Sequence, residues 1–112
     1  MAATKNIPNL IDALNDSREG VRQFAMKELV VVGEDAIPHL INALNERGGY
    51  IQDSALGVLM SIGKPAIPYL VQALKSEQRK IRWNAAYVLA EMGEEGRHAV
   101  DASASAGEEL TI

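Results

Sequence analysis

Few residues in this chain are of a type and spacing that could do chemistry, and each has a plainer reading. Metal ligation would fall to the two histidines. His39 is followed by Leu40 and His98 by Ala99, and no His, Asp or Glu set recurs at metal-ligand spacing. A lone histidine on an exposed helical position is ordinarily a solvated side chain. General acid–base work would need two carboxyls in contrasting environments, one of them apolar. Glu94-Glu95 and Glu108-Glu109 instead read as solvated charge. Nucleophilic catalysis would need a base within reach of an activated hydroxyl, yet most serines and threonines fall in polar turns or near the C-terminus, with no motif around them. The chain has no cysteine, so thiolate chemistry and disulfides are excluded. No catalytic residue, cofactor or metal is expected, and the chain does not read as an enzyme.

The glycines, which might have suggested a phosphate loop, recur at a fixed interval instead. Ile7-Pro8-Asn9-Leu10-Ile11, Ile37-Pro38-His39-Leu40-Ile41 and Ile67-Pro68-Tyr69-Leu70-Val71 are one pattern at a spacing of 30 residues. Ala25, Ala55 and Ala85, then Leu29, Leu59 and Leu89, repeat in the same register, and Gly33, Gly63 and Gly93 close the units. Such a period marks a solenoid, whose repeats cannot bury their apolar faces alone and stack into one core.

Each unit predicts two helices. In the first, Ile7, Leu10, Ile11 and Leu14 fall at the i, i+3, i+4, i+7 spacing of one helical face. Pro8, Pro38 and Pro68 sit in the first turn, where a missing N–H costs nothing and the fixed φ is already helical. Polar turns follow: Asn15-Asp16-Ser17, Asn45-Glu46-Arg47-Gly48-Gly49 and Lys75-Ser76-Glu77. Asp16 or Ser17, and Ser76, are expected to cap the next helix. Gly48-Gly49 leaves the second turn the loosest of the three. The second helix carries the core stripe Val21, Ala25, Leu29 and Val32, repeated as Ile51, Ala55, Leu59 and Ile62 and as Ile81, Ala85, Leu89 and Met92. A left-handed glycine then ends it.

At 112 residues the chain is read as one domain, 1–112, with units at about 7–36, 37–66 and 67–96. Residues 97–112, rich in small and polar types, are expected to form a degenerate cap: a short frayed helix running into a tail. Eleven basic against fifteen acidic residues give a net charge of -4, the wrong sign for neutralising phosphates, so no nucleic-acid partner is expected. No apolar run approaches the roughly 20 residues needed to cross a bilayer, and the start MAATKN lacks the features of a secretion signal. No membrane partner is expected, and a cytoplasmic location is.

Two helices per unit, a proline in the first, Val21-Arg22 and Ile81-Arg82 near the start of the second, and a closing glycine together resemble HEAT repeats. The pattern is closest to the short HEAT-like repeats of phycobilisome lyases and small prokaryotic proteins. It covers residues 7 to 96 and implies an all-α, α-α superhelix of three helical hairpins. It also implies that an acidic turn residue pairs with the arginine six positions on, Asp16 with Arg22, and that second helices line a concave binding face. Glu46 meets Gln52 and Ser76 meets Arg82 in that register, so the ladder is expected to be incomplete and weaker between the second and third units. One HEAT enzyme, deoxyhypusine hydroxylase, binds two irons through His-Glu pairs; neither histidine here is followed by Glu.

On the second helices, the positions opposite the core stripe read Gln23, Asp53, Trp83, then Lys27, Gly57, Tyr87, then Val30, Met60, Ala90. Trp83 and Tyr87, one turn apart, are the expected anchors of a protein or peptide partner, because aromatic residues with a polar tip are typical interface residues. Met60, Val30, Asp53, Lys27 and Gln23 extend that surface. For Met60 and Val30 ordinary inter-repeat packing is the plainer reading. For Trp83 and Tyr87 the plainer reading is cover by Val100, Leu110 or Ile112, or by a second copy. A self-associating assembly protein is the alternative function, with the C-terminal end as the seam because Glu28 stands where later units have Val58 and Val88. A role like that of the phycobilisome lyases, handling a tetrapyrrole or its carrier, ranks behind both.

Overall fold

The computed structural model describes residues 6–111, with side chains from Asn6 to Ala102. Among the described residues there are helices and no strands. Three hairpins follow one another: α1 (Ile7–Ala13) with α2 (Glu19–Val32), α3 (Ile37–Ala43) with α4 (Ile51–Ile62), and α5 (Ile67–Ala73) with α6 (Arg79–Glu91). A seventh helix, α7 (Glu94–Thr111), follows. The first helices α1, α3 and α5 stack in turn, as do the second helices α2, α4 and α6. The result is an all-α superhelix.

The core lies between the two layers. Leu14, Leu29, Leu40, Leu44, Leu59, Leu70 and Leu89 are fully buried, together with the alanine column Ala25, Ala55 and Ala85. The alanines matter as much as the leucines, because a small side chain lets neighbouring helices approach closely. Within the expected stripe, the end residues Val21, Val32, Ile62 and Met92 are only half-buried. Each first helix starts with its proline in the first turn. Asn6 caps α1, its Oδ1 accepting the Asn9 N–H at 3.1 Å.

Four local expectations are corrected. Gly33 and Gly63 do end α2 and α4 at positive φ, 73° and 79°, but with ψ of −129° and −134°. That lies outside the left-handed helical region, in territory essentially reserved for glycine. The chain then passes through 3₁₀ turns, Gly33–Ala36 and Lys64–Ala66, which carry it directly into the next first helix and bury Ala36 and Ala66. Second, Asp16 and Ser76 do not cap helices. Each accepts the backbone N–H two residues on, Arg18 at 2.8 Å and Gln78 at 3.1 Å, so they shape the approach to α2 and α6.

Third, the Gly48-Gly49 turn is fastened. Asn15 Oδ1, from the preceding unit, accepts the N–H groups of Tyr50 at 2.8 Å and Ile51 at 3.2 Å, capping α4 from across the repeat boundary. A Cβ on Gly49 would collide with that carboxamide. Fourth, residues 97 onward are not a frayed stub. The long α7 packs against α5 and α6, with Gly96 buried so tightly against the Leu89 carbonyl that a Cβ would strike it. Alanine-rich sequence with Glu94 and Glu95 in the first turn favours helix on propensity and dipole grounds. Ile112 and the Leu110 side chain lie outside the described residues.

Candidate protein-binding surface

The polar bonds of the turns set the orientation of the second helices. Arg22 does not pair with the Asp16 carboxylate; its Nη1 donates to the backbone oxygens of Asp16 at 2.8 Å and Ser17 at 3.1 Å. Arg82 repeats this, Nη1 donating to the Ser76 oxygen at 2.8 Å. Since the acceptor is a carbonyl, an acidic side chain at the turn is unnecessary, and the bond survives where the sequence has serine. The Asp16 carboxylate instead takes a two-pronged bond from Arg18, Nε and Nη2 each at 2.9 Å, which holds its pKa down at about 2.

Nor is the boundary between the second and third units bare. Gln52 Nε2 donates to Asn84 Oδ1 at 3.4 Å, Asn84 Nδ2 donates to the Leu44 carbonyl at 3.3 Å, and Lys80 Nζ to the Glu46 carbonyl at 2.7 Å. On the linker side, Tyr69 donates to Glu34 at 2.9 Å, and this hydrogen bond raises the phenol pKa. Lys64 pairs with Glu95 at 2.9 Å, tying α7 to the last linker. Asn84 is buried and satisfied, and no buried side-chain polar atom among the described residues lacks a partner.

This frame divides the seven expected contact residues into groups. Trp83 is 70% exposed and Tyr87 44%; with Ala86 they line an apolar hollow of about 270 Å³ on α6. Gln23, Lys27 and Val30 line a second, larger hollow of about 480 Å³ over α2 and α4, along with Met26, Val31, Val58 and Ser61. Asp53 and Met60 are exposed on α4 and line neither. Val30 is half-buried, as inter-repeat packing would have it. Val100 packs against the core, leaving Trp83 and Tyr87 exposed. Cover by Leu110 or Ile112 concerns side chains outside the described residues.

Exposed apolar residues beyond these seven were missed by reading only the side opposite the core. Phe24 is 62% exposed and Val31 74%. Tyr50, also exposed, carries the Arg22 guanidinium 3.9 Å above its ring centroid. The signal was available for Phe24: its register mates Ser54 and Asn84 are polar and buried, whereas among the described residues no unit precedes the first repeat. The N-terminal end is therefore less polar than Glu28 alone suggested, and α7 closes part of the C-terminal end.

On the other side of the molecule, His39 is exposed at the rim of a groove between α1 and α3 that Asp12, Asn15, Asn42 and Glu46 also line. Among the described residues no group of three His, Cys, Asp or Glu side chains could hold a metal ion. A family model described as HEAT repeats matches residues 37–104, more than half of the chain. The chain belongs to the HEAT-repeat family. No match was found among the curated proteins. HEAT repeats commonly mediate protein–protein interaction and are generally non-enzymatic scaffolds. Among the described residues of this HEAT array, no single helix is long and apolar enough to cross a membrane.

Proposed function

We infer that the chain is a non-catalytic interaction module that binds a protein or peptide on its concave second-helix surface, with Trp83 and Tyr87 as anchors and Gln23, Lys27, Val30, Asp53 and Met60 on the same surface. The observation that carries this reading is the Trp83–Ala86–Tyr87 hollow. A tryptophan 70% exposed beside a half-exposed tyrosine leaves apolar surface that a folded chain gains by covering. Large aromatic anchors of this kind dominate binding energy where they are desolvated by a partner. A cytoplasmic location belongs to the same reading.

The test is the double variant Trp83→Ala with Tyr87→Ala. Helicity and melting should be unchanged, because neither side chain supports the core, while capture of a binding partner should be lost. Retained capture would remove this surface from consideration.

Self-association is a second reading, favoured by the exposed Phe24 at the N-terminal end. Light scattering at high concentration decides it, a strictly monomeric mass excluding it. The tetrapyrrole-handling role implied by the resemblance to phycobilisome lyases predicts an absorbance change on adding a bilin, and its absence would dispose of that role.

A further inference from the structure

The third inter-helix turn differs from the other two in charge. Residues 15–22 balance Asp16 and Glu19 against Arg18 and Arg22, and residues 45–52 balance Glu46 against Arg47. Residues 75–82 hold Lys75, Arg79, Lys80 and Arg82 against Glu77 alone, on a chain whose net charge is -4. No ion pair among the described residues takes up any of these four cations. Lys80 and Arg82 donate to the neutral carbonyls of Glu46 and Ser76, which hold the side chains and leave their charge uncompensated. In the first turn α2 carries Glu19 and α4 carries Asp53, whereas α6 carries no acid. Cations there oppose the helix dipole, so the folding of α6 gains nothing from Arg79.

Arg79 stands on the same stripe as the two aromatic residues. Arg79, Trp83 and Tyr87 follow at i, i+4 and i+8, one face of a helix. Of the register mates Glu19, Gly49, Gln23, Asp53, Lys27 and Gly57, only the last is half-buried and the rest are exposed. The exposure belongs to the position, since α4 keeps it with a second helix packed on either side. Along this stripe the positive end at Arg79 leads into the apolar hollow of Trp83, Ala86 and Tyr87. Exposed acids bound it, Asp53 on the neighbouring α4 and Glu91 at the far end of α6.

We propose that this stripe binds an acidic, apolar segment of a partner protein, with its carboxylates on Arg79 and the turn cations and a leucine or phenylalanine in the hollow between Trp83 and Tyr87. This rests on the reading of Trp83 and Tyr87 as a binding surface and specifies what they bind. Asp53 repels carboxylates directed across to α4, and Glu91 those at the far end, so the segment lies along α6 with its acidic end at Arg79. The rise from Arg79 to Tyr87 is about 12 Å at 1.5 Å per residue, which roughly four residues of extended chain span. Acid and anchor are therefore close together in the partner's sequence. A guanidinium–carboxylate pair beside a desolvated apolar anchor gives orientation as well as affinity. A nucleic acid, whose charge repeats along its length, would run from these cations onto Asp53 or Glu91 and fits the stripe poorly.

Random-peptide display on the full-length chain is the probe, followed by anisotropy of the recovered peptides after synthesis. They should share an acidic cluster within about four residues of a leucine or phenylalanine. Those without tryptophan of their own should change the emission of Trp83, the only tryptophan in the chain. Arg79→Glu should weaken them at least about tenfold, and added salt should weaken them too. That substitution gives α6 the residue type α2 has in register, so the melting temperature should not fall and lost binding is separated from lost folding. Peptides with lysine in place of their acids should fail on the native chain and bind the Arg79→Glu chain. Recovered peptides without acids, bound equally by the native and Arg79→Glu chains but lost with Trp83→Ala, Tyr87→Ala, overturn the acidic occupant and leave the aromatic surface standing. Peptides indifferent to all these variants, or none binding more tightly than about 1 mM, remove both. A single-stranded oligonucleotide that binds as tightly as the best peptide and needs Arg79 makes nucleic acid the ligand and also overturns the proposal.

Discussion

At the N-terminal end of the stack Phe24 stands in solvent where Ser54 and Asn84 lie buried, and Leu10 is half-buried where Leu40 and Leu70 are fully covered. At the C-terminal end of the described residues α7 extends the first-helix layer, and Arg82, Ala86 and Ala90 of α6 are exposed. Among the described residues no earlier unit packs over Phe24, whereas α7 lies against α5 and α6. The difference teaches that a column of register-equivalent residues must be read together with its neighbour: the same position is core in the middle of an array and surface at its edge.

Loss of the shared core should erase the distinction between the ends. Leu59→Ala, at a fully buried site in the central unit, should cost about 2–5 kcal/mol and lower the melting temperature of the whole array. Next in size, moving the N-terminal residue inward should show that the columns differ by burial alone. Asn84→Phe places the side chain of Phe24 at a buried register mate and breaks the bonds to Leu44 and Gln52, so it should destabilise by about 1–3 kcal/mol. Phe24→Asn should stay within about 0.5 kcal/mol by denaturant titration. Equal effects would break the comparison.

The C-terminal end can be loosened separately. Gly96→Ala drives a methyl group into the Leu89 carbonyl and should detach α7 at a cost of about 1–3 kcal/mol, read as hydrogen exchange rising in α7 while α1 and α2 stay protected. Asn15→Ala removes the cap that the first unit supplies to α4 and should cost about 0.5–2 kcal/mol, seen as faster exchange at Tyr50 and Ile51. The smallest effect is electrostatic. The Asp16 pKa is depressed to about 2 by its bonds from Arg18, so its contribution is present above the ordinary carboxylate range and fades as pH falls from about 4 toward 2. Asp16→Asn should flatten the acid limb of the stability curve over that interval.

The period, the hairpins and most of the core were legible in the sequence, because proline, the alanine column and the leucine column each have one structural meaning and recur in register. The links between units were not. Asn15 reads as a turn residue until its partner, 35 positions away, is known, and Arg22 bonds carbonyl oxygens that no side-chain pattern can announce. The stretch after Arg97 was misread because small and serine-rich composition suggests a tail, whereas alanine content and an acidic first turn suffice for a helix once α5 and α6 offer a surface. Trp83 and Tyr87 stood out as residues opposite the stripe. That Ala86 floors the hollow between them is visible only by comparing it with Met26 and Leu56 at the same register position.

Iodide quenching of the single tryptophan in the monomeric chain tests the exposure of the aromatic surface on α6 most directly. An indole 70% exposed should be quenched nearly as readily as a free tryptophan derivative and become protected when a protein or peptide partner is bound. A Trp83 already shielded from iodide in the unliganded monomer would mean that the chain covers this surface itself, and would contradict the account.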